Sequence, residues 1–301
     1  MIWNCPEGFH IGPLNIRFYS LMFVVAFGLG WYVMKAIYER EKITLDKLDT
    51  IFIWMVFATL IGARLGQVFF YDWEYFRNHP IEILLPIQTE PEFHFTGFAG
   101  LASHGATVGI ILTMFFYSKY IIKKPFLWIL DRVVIPVASG AIFVRIGNFF
   151  NSEIIGFKTD SQFGVRFVRD YFSPKEVVNI TQINDVDLAY KTIANDSQFA
   201  SFLAQVPAKH PTQLYESFCY IFVFALLFFM YWKTNARNKA GLLFGTFLVS
   251  LFSIRFFVEY VKESQGGFGD GTIFSTGQWL SIPFIVIGLF FVLRKGTSAG
   301  N

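Results

Sequence analysis

The sequence predicts an all-α polytopic membrane protein with seven transmembrane helices, an N-terminus outside the membrane, a cytoplasmic C-terminus and a small extracytoplasmic cap. Three observations predict this class. Of the 301 residues, 54% are hydrophobic and only 16% are charged, whereas an ordinary soluble protein carries about 25% charged residues. Seven apolar runs reach the length of about 20 residues that a helix needs to cross a bilayer. The lysines and arginines are also distributed unevenly over the connections between these runs.

The seven apolar runs follow one another along residues 1–301, which we interpret as a single membrane domain. The first ten residues contain neither a basic region nor a small-residue cleavage site, so no signal peptide is expected. The predicted spans are Asn15–Tyr38, Asp49–Phe70, Gly97–Ser118, Phe126–Asn148, Thr212–Trp232, Ala240–Val261 and Thr276–Leu293.

The basic residues predict the orientation of these spans, because cytoplasmic connections carry an excess of lysine and arginine. One set of connections holds twelve of them, and the short connections on the opposite side hold three. Long segments outside the membrane escape this rule. Seven spans therefore place the N-terminus outside and the C-terminus in the cytoplasm. The twelve are Lys35, Arg40, Lys42, Lys47, Lys119, Lys123, Lys124, Lys233, Arg237, Lys239, Arg294 and Lys295, and the three are Arg17, Arg77 and Lys262.

Two long connections on the outer side do not span the membrane. Tyr71–Phe95 mixes aromatic and polar residues with three prolines, a composition that favours a re-entrant segment or one lying in the interface. Asn151–Lys209 is polar and alternates in hydrophobicity over Phe163–Val168. We interpret residues 151–209 as the small cap.

The composition also bears on partners and cofactors. The net charge of +3 is small and scattered, so no nucleic-acid partner is expected. Cys5 and Cys219 lie in unrelated surroundings, and we expect two free thiols. No group of residues has the spacing of metal ligands, so neither a metal nor another cofactor is expected.

Several charged and titratable side chains inside the spans share one depth. A charge in a bilayer costs several kcal/mol, so each one needs an explanation. Arg64 and Arg255 each lie six residues before the outer end of their spans, which is roughly 9 Å at a rise of 1.5 Å per residue. His104 lies at a similar depth. The other polar residues near this level are Arg145, Arg17, Tyr19 and Glu259.

The same residues can also be explained by purely structural roles. A long arginine near a helix end can lift its guanidinium to the interface and have no other role. Arg255 and Glu259 are i,i+4 neighbours, so a structural ion pair also accounts for them. His104 alone is typical of a hydrogen-bonded histidine in a helix bundle, although Gly105 and Ala106 beside it allow close backbone approach and favour a site.

The densest polar pattern is Arg145–Gly156, with the sequence R-I-G-N-F-F-N-S-E-I-I-G. Arg145 and Asn148 are three residues apart and share a helix face. Asn148, Asn151 and Glu153 then crowd the helix end, where Gly156 can form a turn. A guanidinium beside two amides and a carboxylate suits a phosphate ester with neighbouring hydroxyls. Helix termination by asparagine and glycine is the structural alternative.

This segment resembles the long motif of the bacterial prolipoprotein diacylglyceryl transferases, G-R-x-G-N-F-x-N-x-E-x-x-G, with Val144 in place of the first glycine. Further motifs follow in the family's order over roughly residues 15–290. Ala106 replaces a second glycine after the histidine, and Lys262–Gln265 replaces an R-x-P-D-like sequence. The other matching segments are Arg17–Met22, Gly62–Gly66, Ser103–Gly105, His210–Glu216, Arg255–Glu259 and Gly277–Pro283.

The resemblance implies a fold, a reaction and a location. The family transfers the diacylglyceryl group of phosphatidylglycerol to the thiol of the lipobox cysteine in a prolipoprotein signal peptide. A thioether forms and glycerol-1-phosphate leaves, as the first step of bacterial lipoprotein maturation. The acceptor cysteine belongs to the substrate, so the enzyme needs none of its own. The implied location is the inner membrane, with the active site toward the periplasmic leaflet and the cap in the periplasm.

The resemblance also implies roles for individual residues. Arginines hold a departing phosphate well, which favours Arg145 and Arg255, with Arg64 second. An incoming thiol benefits from a base, for which His104 is the candidate and Tyr19 or Glu153 the alternatives. The catalytic set is therefore His104, Arg145, Arg255 and Tyr19, and the substrate-binding set is Arg64, Asn148, Asn151, Glu153, Gly156 and Glu259.

Two other classes of protein compete with this interpretation. A transporter or channel for an anionic solute predicts polar residues through the whole membrane depth. The inner halves of the helices are instead nearly all apolar, for example Ile221–Met230 and Phe284–Leu293, which favours a site open on one side. A structural assembly factor, in which polar residues only join helices, predicts tolerance of Arg→Lys changes.

Overall fold

A computed structural model describes residues 1–12, 14–85, 87–89, 94–95, 102–264 and 273–294. Seven of its helices are long and apolar enough to cross a membrane, which confirms the predicted helical fold with seven spans. The α-helices are α1 (Phe18–Arg40), α2 (Leu45–Phe70), α3 (Trp73–Phe76), α4 (Ser103–Phe116), α5 (Phe126–Phe150), α6 (Val168–Tyr171), α7 (Pro174–Thr181), α8 (Val186–Asn195), α9 (Ala200–Gln205), α10 (Thr212–Lys233), α11 (Leu242–Val258) and α12 (Thr276–Leu293).

The strands are short and form three small sheets among the described residues. β2 pairs antiparallel with β3, β4 pairs antiparallel with β5, and β6 lies between β1 and β7. The strands are β1 (Ile2–Trp3), β2 (Gly8–Ile11), β3 (Leu14–Arg17), β4 (Ile87–Gln88), β5 (His94–Phe95), β6 (Val165–Phe167) and β7 (Ala208–Lys209).

The helix ends differ from the predicted spans by up to four residues, except that the third helix begins at Ser103 rather than Gly97. The first span begins at Phe18 rather than Asn15, because the preceding residues form β3 and satisfy their backbone groups in a hairpin. The third span continues to Ile122 through a π-helical turn. Residues 97–101 of that predicted span lie outside the described residues, as do Gln265 and Lys295.

The described residues form two compact units. The first comprises the described parts of Met1–Tyr32 and Val133–Gly300, and the second comprises those of Val33–Arg132. Most of the predicted site residues belong to the first unit, and Arg64 and His104 belong to the second.

In the second unit, α2 and α4 touch through glycines. A Cβ atom added at Gly66 would lie 2.7 Å from the Cα atom of Gly105, and one added at Gly109 would lie 2.7 Å from the carbonyl oxygen of Ala58. Only glycine permits such close backbone approach between helices. The small residues flanking His104 therefore serve the packing of α4.

Other polar contacts hold the remainder of the second unit. The Tyr117 hydroxyl donates to the Lys47 carbonyl and lies 2.8 Å from the Tyr38 hydroxyl. Arg132 and Glu41 form an ion pair at 2.8 Å, with the Arg132 side chain only 3% exposed. These contacts fix the ends of α1, α2 and α4 relative to one another within this unit.

The segment predicted to lie in the interface or re-enter, Tyr71–Phe95, is organised around Glu82. The Glu82 carboxylate accepts hydrogen bonds from the Thr89 backbone N–H, the Thr89 hydroxyl and the Tyr75 hydroxyl. These hydrogen bonds lower the pKa of Glu82 to about 2, and the bond from the Thr89 hydroxyl has the largest effect. The carboxylate therefore stays ionised and keeps its partners at neutral pH.

In the first unit, the predicted cap Asn151–Lys209 folds as a small lobe with its own core. β6 runs parallel to β1 and antiparallel to β7, so part of the alternating run predicted from the sequence is a strand. Ser173 and Glu176 form a capping box at the start of α7. The buried core residues are Val168, Phe172, Val177, Ala189, Tyr190, Ile193 and Val206.

Candidate active site

The candidate site in the first unit begins at a strained turn after α5. Ser152 has a φ of 55° and Ile154 has a φ of 58°. A positive φ is rare for any residue with a side chain and rarest for a β-branched one such as Ile154. The Thr212 hydroxyl donates to the Ile154 carbonyl at 2.6 Å, and the Gln213 side-chain amide donates to the Glu153 carbonyl. The start of α10 therefore holds this turn in place.

A continuous chain of polar side chains runs from α10 through the end of α5 into the turn. Arg145 Nε lies 2.7 Å from Glu216 Oε2, and Arg145 Nη1 donates to Asn148 Oδ1 at 3.3 Å. Asn148 Nδ2 donates to Glu153 Oε2 at 3.4 Å, and Asn151 donates to the other oxygen of Glu153. The structure thus brings together four of the predicted site residues and adds Glu216.

Tyr19 joins this chain from α1. A Cβ atom added at Gly147 would lie 2.9 Å from Tyr19 Cδ2, so the glycine lets the tyrosine ring lie against α5. The Tyr19 hydroxyl is close enough to interact with Asn148, Glu153 and Arg145. The tyrosine predicted as a catalytic residue therefore lies beside the arginine.

The end of α11 supplies a second group of charges. Glu259 pairs with Lys262 at 3.2 Å, and both side chains are buried, at 9% and 3% exposure. Lys262, rather than Arg255, is therefore the ion-pair partner of Glu259, because the chain leaves α11 through a 3-10 turn that brings Lys262 back onto the carboxylate. Within the described residues, the Arg255 side chain makes neither a hydrogen bond nor a salt bridge, and the residue is partly buried.

Backbone pairing joins the two groups of charges. The Phe157 N–H donates to the Val261 carbonyl at 2.9 Å, and the Glu263 N–H donates to the Ile155 carbonyl at 3.0 Å. The segment that follows the turn after α5 therefore lies against the segment that follows α11. These backbone hydrogen bonds hold the end of α5 close to the end of α11.

Lys262 interacts electrostatically with charged side chains from both groups. Its ammonium is influenced by Glu216, Glu259, Arg255 and Arg145. Burial holds the pKa of Lys262 below its ordinary value, and the two carboxylates offset part of this effect. Arg145, Arg255 and Lys262 thus lie close to Glu216 and Glu259, and Glu153 follows along the same chain of contacts, so three cations face three carboxylates. The guanidinium donors of Arg145 and Arg255 are the groups of this cluster that suit an anionic ligand.

Gly156 is a packing position where three segments meet. A Cβ atom added there would contact the Val261 carbonyl oxygen, and it would lie 2.6 Å from His210 Cβ and 2.8 Å from Thr212 Cγ2. The Gly156 N–H also donates to the His210 carbonyl at 2.9 Å. Its predicted role in substrate binding is untested, but its backbone positions the residues on either side.

We therefore expect Gly156→Ala to lower both stability and activity. The added methyl group has no space, which costs about 1–3 kcal/mol of folding free energy and displaces the turn that carries Glu153. Thermal unfolding and activity measurements on the purified protein check this. The control is Gly28→Ala on α1, where an added Cβ meets nothing within 4 Å. Equal behaviour of the two variants would contradict the packing role.

Arg64 lies in the second unit, where its side chain is 7% exposed. Its guanidinium donates to the Ile83 carbonyl at 2.9 Å and to the Glu82 carbonyl at 2.7 Å, and it stacks 4.7 Å from the centre of the Phe76 ring. These contacts secure the segment after α2, which supports a structural role. Its predicted role as a lipid ligand stays a prediction.

His104 also lies in the second unit and is exposed, at the second position of α4. Its ring centre lies 5.1 Å from that of Phe70 and 5.7 Å from that of Tyr71. Within the described residues its imidazole makes no hydrogen bond. Both ring nitrogens are therefore available for proton transfer.

Sequence reasoning assigned no role to Glu216, Lys262 or Tyr220, although all three lie in this cluster. Glu216 is a carboxylate inside a predicted span and ends the matching segment His210–Glu216. The rule that drew attention to the arginines, the cost of charge in a membrane, applies to it equally. The Tyr220 hydroxyl is one turn further along α10 and interacts with Arg145.

The fold and this cluster together define a class: a polytopic membrane protein with a cluster of charged side chains at the ends of two spanning helices. Comparison with known proteins makes the assignment specific. The family model described as prolipoprotein diacylglyceryl transferase matches residues 6–294. The chain belongs to the prolipoprotein diacylglyceryl transferase family, and it is a transferase.

Several relatives are similar over nearly their whole length. The chain is 37% identical to the phosphatidylglycerol–prolipoprotein diacylglyceryl transferase of Chloroherpeton thalassium, over 98% of this chain and 94% of that protein. It is 33% identical to the proteins of the same name from Tolumonas auensis, over 97% and 96%, and from Bacteroides fragilis, over 98% and 95%.

Proposed function

We propose that this protein transfers the diacylglyceryl group of phosphatidylglycerol to the lipobox cysteine of a prolipoprotein, the first step of lipoprotein maturation. Family membership and the names of the relatives support the reaction. The observation that carries the proposal is the cluster of Arg145, Arg255 and Lys262 at the ends of two spanning helices.

The reaction exchanges a C–O bond for a C–S bond. The cysteine sulfur attacks the glyceryl carbon that carries the phosphate ester, and a thioether forms. The C–O bond breaks, and its electron pair leaves with the phosphate oxygen as glycerol-1-phosphate. The thiol proton passes to a base. Negative charge therefore grows on the phosphate as the sulfur loses its proton.

The arginines act on the departing phosphate. Arg145 and Arg255 hold its oxygens and stabilise the growing charge, and removal of one such preorganised donor costs about 10²–10³ in rate. The closeness of both guanidinium groups to Lys262 supports this assignment. Arg64 is the weaker candidate, since its donors already bind backbone carbonyls.

The amides and carboxylates bind the hydroxyls of the headgroup. Asn148, Asn151 and Glu153 are linked to Arg145 through hydrogen bonds, so hydroxyl groups beside a bound phosphate find donors and acceptors together. Glu259 plays the same part from the end of α11. The acyl chains then lie between helices, open sideways to the outer leaflet.

His104 is the proposed base, with Tyr19 and Glu153 as the alternatives. We expect His104→Gln to lower turnover strongly, by about 10²–10⁴, because the incoming thiol loses the group that accepts its proton. Measurement of the pH–rate profile checks this. An unchanged profile in the variant would move the role to Tyr19 or Glu153.

The proposed location is the inner membrane, with the N-terminus and the active site toward the periplasm. The excess of lysine and arginine on the alternate connections supports this orientation. The phosphates of the outer leaflet then lie just beyond the ends of α5 and α11, where the charge cluster lies. The lobe Asn151–Lys209 forms a periplasmic cap in this orientation.

The experiment uses purified protein in vesicles of phosphatidylglycerol with a lipobox peptide. We expect the peptide to gain the mass of a diacylglyceryl group while glycerol-1-phosphate appears in equal amount. Vesicles of phosphatidylethanolamine, and a peptide with serine at the acceptor position, are the matched controls. A transporter or an assembly factor would modify no peptide in any of these mixtures, and that result would refute the proposal.

A further inference from the structure

Glu216 is a fully buried carboxylate on a spanning helix, and none of the steps above uses it. Its side chain is 0% exposed, and its Oε2 atom lies 2.7 Å from Nε of Arg145, which is itself only 11% exposed. The other oxygen, Oε1, has no hydrogen-bond partner among the described residues. This charge is therefore only partly compensated.

Stability alone does not account for such a pair. Taking each ion out of water costs several kcal/mol, and apolar residues of similar volume often stabilise a protein as well or better. A carboxylate that faces an arginine also weakens the attraction of that arginine for a second anion. The buried pair of Arg145 and Glu216 therefore has a role other than stabilising the fold.

The contacts of Arg145 indicate what that contribution is. A guanidinium has five N–H donors in a rigid plane. Glu216 occupies the Nε side, Asn148 accepts from Nη1, and the Tyr220 hydroxyl is close enough to hydrogen-bond. These contacts fix the plane and leave two N–H groups, enough for the paired bonds that phosphate oxygens accept.

We infer that Glu216 is a positioning residue that orients the Arg145 guanidinium toward the phosphate in the transfer reaction. The inference rests on the proposed function. Glu216 touches no substrate and acts through Arg145. A displacement of about 1 Å in a group that stabilises the transition state costs about 10²-fold in rate, so the orientation matters more to turnover than to binding.

The test compares Glu216→Gln with a matched control, Glu41→Gln. Glu41 forms a similar ion pair with Arg132 in the second unit, and it has no part in the proposed site. We expect Glu216→Gln to lower kcat about 100-fold while KM for phosphatidylglycerol changes less than about threefold. Glu41→Gln lowers the unfolding temperature and leaves kcat within about twofold of wild type.

Glu216→Asp separates position from charge. It keeps the carboxylate and withdraws it by one methylene group, so we expect an intermediate loss of kcat, about tenfold, at an unchanged unfolding temperature. If Glu216→Gln does not fold, this variant carries the test alone. In an Arg145→Lys chain, adding Glu216→Asp lowers kcat less than about threefold, because the effect depends on the guanidinium.

The outcomes distinguish the inference from the function on which it rests. Wild-type kcat in the Glu216 variants, or a loss matched by Glu41→Gln at equal destabilisation, overturns the positioning role while the proposed function stands. An inactive wild-type protein with phosphatidylglycerol and a lipobox peptide refutes the function itself.

Discussion

Replacement of Arg145 by alanine abolishes transfer: we expect kcat/KM to fall at least about 1,000-fold, which is about 4 kcal/mol of transition-state stabilisation. Two effects combine. The departing phosphate loses its oriented donors, and Glu216 is left as a buried charge without a counter-ion, which costs about 3–5 kcal/mol of stability. Mass spectrometry of a lipobox peptide incubated with variant protein in phosphatidylglycerol vesicles measures the loss.

Arg145→Lys separates these two effects. Lysine keeps the positive charge beside Glu216 but lacks the planar fork, so we expect a folded protein whose kcat is reduced about 100-fold. Arg132→Lys is the matched control, since it changes the buried arginine of the other ion pair. Near wild-type turnover in Arg145→Lys would show that the site needs only a charge, and the proposed role would fail.

Arg255→Ala is expected to lose activity without losing stability. The Arg255 side chain has neither a hydrogen bond nor a salt bridge among the described residues, so its removal leaves no carboxylate unpaired. Its partly buried guanidinium is instead available to a bound anion. We expect an unfolding temperature within a few degrees of wild type and a fall in kcat/KM of about 10²–10³, measured with the same peptide assay.

The control for this variant is Arg17→Ala, which removes an exposed arginine that faces Glu7 at 3.9 Å. Exposed pairs contribute at most about 1 kcal/mol, so both stability and turnover stay near wild type. Full activity of Arg255→Ala would contradict the role of Arg255 in the reaction. A loss of activity that follows a loss of fold would indicate a structural arginine instead.

The spanning helices could be predicted from the sequence because twenty apolar residues have few alternatives in a bilayer. Their ends could not be placed from hydropathy alone. Leu14–Arg17 alternates apolar and polar residues directly before the helix, and it forms β3 because Gly8–Ile11 is available as a partner. Pairing with another segment of the chain therefore decides whether such a short stretch forms a strand or the first turn of the helix.

The site was predicted residue by residue, but its connections were not. The shared face of Arg145 and Asn148 follows from helix periodicity, and the structure links both to Glu153 beyond the helix end. Periodicity also left an ion pair between Arg255 and Glu259 open as a structural alternative, but the partner of Glu259 is Lys262, after the end of the helix. Periodicity assumes that the helix continues, and here it tightens into a 3-10 turn.

Glu216 shows a second limit of sequence reasoning. An arginine and a carboxylate on separate helices give no signal of contact in a single sequence, since their separation along the chain is unrelated to their distance in space. The lobe is a third case: its capping box at Ser173 and Glu176 is visible as a local pattern, whereas its core depends on residues brought together by the fold.

The lobe leaves and rejoins the membrane helices through one narrow junction. His210 donates its N–H to the Phe157 carbonyl at 3.0 Å, and the Thr159 N–H donates to the Ala208 carbonyl at 2.9 Å. The segments that enter and leave the lobe are thus tied together at its base, and β6 also pairs with β1 from the N-terminal residues. A truncation of the first residues would therefore disturb the lobe as well as the start of the chain.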